Sequence, residues 1–167
     1  MGRPLVHTVR VRYGECDVQG VVFNPNYLAY FDISMTELWR TAYGSYHAML
    51  ERGVDMVLAE ATVRFRRPAH FDDELELAVA VTHLGNTSFR TEHSARRPGE
   101  LVAEADLRHV LVNRETGVKT PIPDWMRVGL ESWTVAPEER SVAGARGRAP
   151  RHSFFCSLSP GQIPVRW

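Results

Sequence analysis

The amino-acid sequence predicts an α+β fold, one long helix set beside a five-stranded antiparallel sheet. Three observations carry the prediction. Apolar residues recur at helical spacing between Asn24 and Gly44, period-2 alternation occurs in five separate segments, and the connections between the later strands are short.

The first strand is expected around Val9, Val11 and Tyr13, which alternate with Arg10 and Arg12. The helix follows. Asn24 is a good N-cap and Pro25 suits the first helical position. Leu28, Phe31, Met35, Leu38, Trp39 and Ala42 then share an apolar stripe that ends at Gly44. Tyr27 and Tyr30 add aromatic bulk on further faces, so the helix is expected to be enclosed by the sheet and a partner. The second strand reads Val57, Ala59, Ala61, Val63, Phe65 on one face, with Glu60, Thr62, Arg64 and Arg66 on the other. Leu75, Leu77, Val79 and Val81 mark the third. Leu84-Gly85-Asn86-Thr87 turns it into a fourth, Ser88 to Ala95, as a hairpin. Leu101 to Val112 supplies the fifth, and Asp124 to Trp133 reads as a short closing helix.

The composition bounds what such a domain can do. Of 167 residues 44% are apolar and 24% charged, enough for a sizeable core, and twenty basic residues balance twenty acidic ones. No global positive field is available to gather nucleic acid, and no nucleic-acid partner is expected. Two cysteines, Cys16 and Cys156, form no paired metal-ligand spacing, and a reducing cytoplasm is the simpler reading. No apolar run approaches the roughly 18 residues of a membrane span, and neither signal peptide nor anchor is expected. Residues 1–135 are expected to form the domain. Residues 136–167, with five arginines, two glutamates and four of the ten prolines, read as a poorly ordered tail. Docking of Phe154, Phe155 or Trp167 on the domain is the other reading of that segment.

Nucleotide-loop, zinc-protease and serine-hydrolase motifs are missing, and no two of the seven histidines are spaced i, i+4, so no metal is expected. The informative stretch is Tyr13 to Arg40, YGECDVQGVVFNPNYLAYFDISMTELWR. It places two carboxylates, Glu15 and Asp17, at the end of a strand, then Gly20, then a helix N-terminus at Asn24 to Tyr27. Helix N-termini offer unpaired N–H groups and a partial positive charge, so a carboxylate and an oxyanion-stabilising dipole lie a few residues apart. Asp17 would be nucleophile or general base. Read from spacing alone, Asp17 to Gly20 is more simply a plain turn, Asp first and Gly fourth, with Asn24 only a cap.

The stretch resembles the 4-hydroxybenzoyl-CoA thioesterase and YbgC-like acyl-CoA thioesterases of the hotdog fold. Tyr13, Asp17, Gly20, Val22, Asn26, Tyr27, Tyr30, Phe31, Glu37 and Arg40 fall into that family's pattern. The similarity runs on through Val63-Arg64-Phe65, Pro68-Ala69, Asp73-Glu74-Leu75, Leu84-Gly85 and Ser88-Phe89, over about residues 7 to 130. Asp32 and Met35 stand where many members have Glu and Arg. The resemblance implies a hotdog fold, a long central helix wrapped by a five-stranded antiparallel sheet. It implies a catalytic carboxylate at Asp17 and an oxyanion held by the Asn24 backbone N–H. Gly20, Val22 and Tyr27 then belong to the substrate-binding surface.

The expected activity is hydrolysis of an acyl-CoA to free acid and CoA without metal or redox cofactor. Coenzyme A carries phosphates, and Arg64, Arg66 and Arg67 are the leading candidates to hold them, against the plainer reading of a solvated strand face. An exposed sheet edge and a helix covered by one thin sheet point to a homodimer or homotetramer. The rival readings are a thioesterase for a carrier-protein-bound acyl chain and a non-catalytic acyl-CoA-binding module. A hotdog dehydratase is the remotest, since no histidine is placed to serve as its base beside the helix N-terminus.

Overall fold

The computed structural model describes residues 2–135. Met1 and the expected tail, 136–167, lie outside the described residues. The elements run β1 (Leu5–Arg10), α1 (Asn26–Tyr43), α2 (Tyr46–Glu51), β2 (Val54–Phe65), β3 (Glu74–Leu84), β4 (Ser88–Arg97), β5 (Glu100–Asn113) and α3 (Asp124–Glu131). The strands form one sheet in the order β1-β3-β4-β5-β2, every pair antiparallel. The architecture is the α+β hotdog arrangement, with α1 packed against β1, β3 and β4.

The stripe on α1 goes where its spacing directs it. Tyr27, Tyr30, Phe31, Ser34, Met35, Leu38 and Trp39 are buried, and Gly44, at φ +84°, stops the helix by donating its N–H to Arg40 O. The N-terminal half of α1 packs with Val11, Val22, Leu75, Leu77 and Ala103. The C-terminal half packs with Val79, Phe89 and Leu111 and with Met126 and Leu130 of α3. Full burial of each such side chain stabilises the fold by about 1.5–3 kcal/mol.

Several expectations need correction. The helix begins at Asn26 with Pro25 in the cap position, so Asn24 lies before the cap. Leu28, expected on the buried stripe, is exposed. The first strand is Leu5–Arg10, not Val9 to Tyr13. Val11 is still buried and held by Asp72 and Asp73, but at Tyr13 the chain enters a short 3-10 turn, and the Tyr13 ring is 83% exposed. The helix α2 was not anticipated, although its cap is legible: Ser45 Oγ accepts from Ala48 N–H at 3.0 Å.

The expected alternation of the second strand is broken by a bulge between Leu58 and Glu60. Directly opposed residues of an antiparallel pair share a face. Ala61, Val63 and Phe65 oppose the inward Leu107, Ala105 and Ala103, whereas Val57 opposes Val110 and points to the other face. The extra residue at the bulge is the cause. This strand also forms one margin of the sheet, and its Val57 and Leu58 are about half exposed.

One polar cluster is embedded in the core. With the Ser34 hydroxyl donating to Phe31 O at 2.7 Å, Ser34 Oγ accepts from His93 Nδ1 at 3.0 Å. His93 Nε2 then accepts from the Thr91 hydroxyl at 2.9 Å, and Thr91 Oγ1 accepts from His109 Nε2 at 3.4 Å. Phe31 lies against the His93 ring and Phe89 stacks on His109 with centroids 4.9 Å apart. Burial, with a smaller contribution from His109, drives the His93 pKa down to about 3, and burial drives His109 to about 4. Both rings are therefore neutral, hydrogen-bonded core groups.

Candidate active site

The loop between β1 and α1 is a narrow antiparallel pairing. Cys16 bridges Val22, the Asp17 N–H donates to Val21 O, and the Phe23 N–H donates to Glu15 O, both at 2.9 Å. Gly20 closes the turn with φ +77°, a conformation glycine adopts without strain, and donates to Asp17 O at 2.9 Å. The four-residue turn with Asp first and Gly fourth is therefore present, and Asp17 stands at its head. The Asp17 side chain is partly exposed, and Oδ1 accepts from the Gln19 N–H at 2.8 Å. No other hydrogen bond reaches this carboxylate among the described residues.

Glu15 has a different environment. Its carboxylate accepts from the Arg12 N–H at 2.7 Å and the Tyr30 hydroxyl at 2.6 Å, and its carbonyl accepts from Asn26 Nδ2 at 2.7 Å. These bonds tie the loop to the first turns of α1. Burial, then the Glu15 carboxylate, pushes the Tyr30 hydroxyl far above an ordinary phenol, so it stays a donor. Of the two carboxylates in the motif, Glu15 fastens the loop and Asp17 remains open. The neighbouring Cys16 thiol is raised by burial and then by Asp17 and Glu15, which disfavours a thiolate beside these acids.

The expected supply of free amides at the start of α1 is much smaller than the spacing suggests. The N–H groups of Asn26, Tyr27 and Leu28 donate to Phe23 O, Asn24 O and Pro25 O, three residues back, at 2.9, 3.2 and 3.1 Å. A tightened first turn uses donors that an ideal helix leaves open, and Pro25 has none. Among the described residues no backbone acceptor faces the Asn24 N–H. Pairing of 15–16 with 22–23 makes Asp17 and Asn24 leave one short ladder at its two ends.

The other candidates divide by burial. Gly20 and Asn24 are exposed. Val22 and Tyr27 are 2% and 3% exposed, Val22 with its N–H on Ala69 O and Tyr27 edge-on to Phe65 at 5.4 Å. They form the floor beneath the loop. Arg64 pairs with Asp106 at 2.6 Å, Arg66 with Glu104 at 2.5 Å and Arg67 with Glu100 at 3.2 Å. All three arginines are exposed on the edge strand or just past it, each facing a carboxylate of β5. Two features passed over in the sequence flank the loop: His70, which bridges Val21, and Phe71, whose ring meets Tyr13 edge-on. Pairing of residues 69 and 70 with 21 and 22 is long-range, and no local signal marks it. Among the described residues no group of three or more His, Cys, Asp or Glu could hold a metal ion, and no helix is long and apolar enough to cross a membrane.

The chain is similar to known proteins over most of its described length. A family model described as the thioesterase-like superfamily matches residues 11–130. The acyl-CoA thioester hydrolase YbgC of Escherichia coli is 32% identical over 106 residues, covering 63% of this chain and 79% of that protein. A crystal structure of a hypothetical protein from Aquifex aeolicus superposes with a TM-score of 0.73 at 28% identity, over 76% of this chain and 99% of that one. The structure of BH1999 gentisyl-coenzyme A thioesterase gives 0.68 at 25% identity, over 76% and 99%.

Proposed function

Since the chain belongs to the thioesterase-like superfamily, we infer that it is a thioester hydrolase whose substrate is an acyl-CoA and whose products are the free acid and CoA. Asp17 is the catalytic carboxylate and the Asn24 N–H the oxyanion donor. The observation that carries this reading is the contrast within the loop. Glu15 Oε2 is held by the Arg12 N–H and the Tyr30 hydroxyl, while Asp17 presents a more open carboxylate on the ladder from whose far end the Asn24 N–H emerges, with no acceptor for it among the described residues. Thiolate is a good leaving group, so a carboxylate is a sufficient catalyst. Asp17 either attacks the thioester carbon, expelling CoA thiolate and leaving a mixed anhydride that water cleaves, or takes a proton from the attacking water. In both routes negative charge grows on the carbonyl oxygen, where a fixed N–H stabilises it more than bulk water does. CoA is part of the substrate, and no further cofactor enters. CoA thioesters belong to the reducing cytoplasm, the compartment proposed for the chain.

The test is hydrolysis of a panel of acyl-CoAs differing in length and aromaticity, followed by thiol release. Turnover of one or more is expected. A panel that binds without releasing thiol supports a binding module, and release only from acyl carrier protein supports the carrier-protein reading.

The catalytic unit is a homodimer, alone or paired into a tetramer. At the margin of the sheet, β2 offers twelve residues of backbone with Val57 48% and Leu58 50% exposed. Phe23 and Val18 on the active loop are exposed as well. An unpaired apolar edge of that length invites a second copy. Val57→Lys places a charge on that edge and is expected to halve the mass seen by sedimentation. An unchanged mass would move the interface elsewhere.

A further inference from the structure

A groove of about 550 Å³ opens between β1, the 3-10 turn and α1, lined in part by Arg10, Arg12, Tyr13 and Phe71 and by the carboxylates Glu15 and Asp72. Its apolar wall is unusual for a surface. The Tyr13 ring is 83% exposed and Phe71 58% exposed, yet the two are in contact, centroids 6.1 Å apart and planes at 84°. Nothing in the core requires either ring. Two exposed rings at a right angle make a corner in which a third flat ring can stack on one face and abut the other's edge. Cations stand beside this corner, and they differ in availability. Arg10 is held by Glu74 at 2.8 Å and Asp72 at 3.4 Å. The Arg12 guanidinium is exposed and pairs with no carboxylate among the described residues.

We propose that this groove receives the nucleotide end of coenzyme A, the adenine lodged in the Tyr13–Phe71 corner and a phosphate held by Arg12. The inference rests on reading the chain as acting on a CoA thioester. Aromatic rings bind any base through its π-face, and an uncompensated guanidinium binds phosphate in bidentate fashion. Arg64, Arg66 and Arg67 fit that role less well, because each already faces a β5 carboxylate. Tyr13 is four residues from Asp17, so their backbones lie within about 14 Å even if the chain is fully extended. Extended pantetheine covers such a distance, with the thioester at one end and the nucleotide at the other.

The experiment uses the full chain and two measurements. Calorimetry with adenosine 3′,5′-bisphosphate, which contains no thioester, is expected to show binding that weakens about tenfold in Tyr13→Ala and in Arg12→Gln, the Arg12 effect shrinking as salt rises. In hydrolysis, the ratio of KM for an acyl-pantetheine to KM for the matching acyl-CoA is expected to exceed one and to collapse toward one in both variants. Any of four results overturns the proposal. They are no bisphosphate binding by the unaltered chain, unchanged binding in both variants, a collapse seen instead in Arg66→Ala combined with Arg67→Ala, and a change of oligomer mass in Tyr13→Ala. Bisphosphate binding that is lost in both variants, by a chain that hydrolyses no acyl-CoA, upholds the nucleotide site and overturns the hydrolase reading.

Discussion

Replacing Asp17 by Asn is expected to lower kcat by about a hundredfold or more while leaving the fold intact, the size of loss that follows removal of a general base or nucleophile. The substitution keeps the shape and the oxygen that accepts from the Gln19 N–H at 2.8 Å, so the turn survives. What disappears is the anionic oxygen able to attack a carbonyl or take a proton from water. Glu15→Gln is the informative companion. Its carboxylate holds the Tyr30 hydroxyl and the Arg12 N–H, and an amide oxygen still accepts those bonds, so a moderate fall is expected. Single-turnover thiol release in both variants, with circular dichroism to confirm folding, separates the roles. Near-normal turnover in Asp17→Asn sinks the assignment, and a greater loss in Glu15→Gln transfers it to the neighbouring acid.

Acid is expected to destabilise this fold by about 5 kcal/mol between pH 7 and pH 4.5 through two histidines alone. His93 and His109 titrate at about 3 and about 4 in the folded chain, against about 6.5 once unfolded. Both folded values are depressed. The unfolded chain therefore binds protons below pH 6.5 that the folded chain refuses, and stability is full above that pH. It then falls by about 1.4 kcal/mol per pH unit for each histidine until the folded ring itself takes a proton, which makes about 2 to 3 kcal/mol each by pH 4.5. Urea midpoints at the two pH values, read at constant slope, measure the loss. His109→Phe keeps a ring against Phe89 and removes one titrating group, so the pH-dependent part should shrink by about half. Equal pH dependence in the variant would show that carboxylates, and not these rings, govern the acid limb.

How much of this was legible in the sequence depends on whether the signal was local. The apolar stripe of α1, the 84–88 turn and the alternation of β3 and β5 are local patterns, and the structure follows them except at Leu28. The carboxylate pair and the turn at Gly20 were legible as well. Their division of labour was not, because it depends on Tyr30, which reaches Glu15 across fifteen residues, and on the pairing of 69–70 with 21–22. Tyr13 was misplaced because period-2 alternation carries on past the end of a strand into a 3-10 turn and does not register the change. The bulge in β2 erased half an alternation that looked regular, since one inserted residue exchanges faces without altering composition. Arg64, Arg66 and Arg67 were a cluster in sequence, and only the cross-strand register revealed the carboxylates that face them.

The chain of hydrogen bonds from His109 through Thr91 and His93 to Ser34 looks like a proton wire, and its last member stops it from being one. A Grotthuss hop toward α1 would have to deliver a proton to Phe31 O, an amide carbonyl too weakly basic to accept it, and the Ser34 hydroxyl points there at 2.7 Å. The wire is terminated at that end, with a single ordering of its protons and no mirror-image state to flip into. A proton needed for the proposed hydrolysis at the loop would therefore not arrive along this line. Asp17, the carboxylate proposed as catalyst, is itself partly exposed, so the proton it would give or take has solvent as its reservoir.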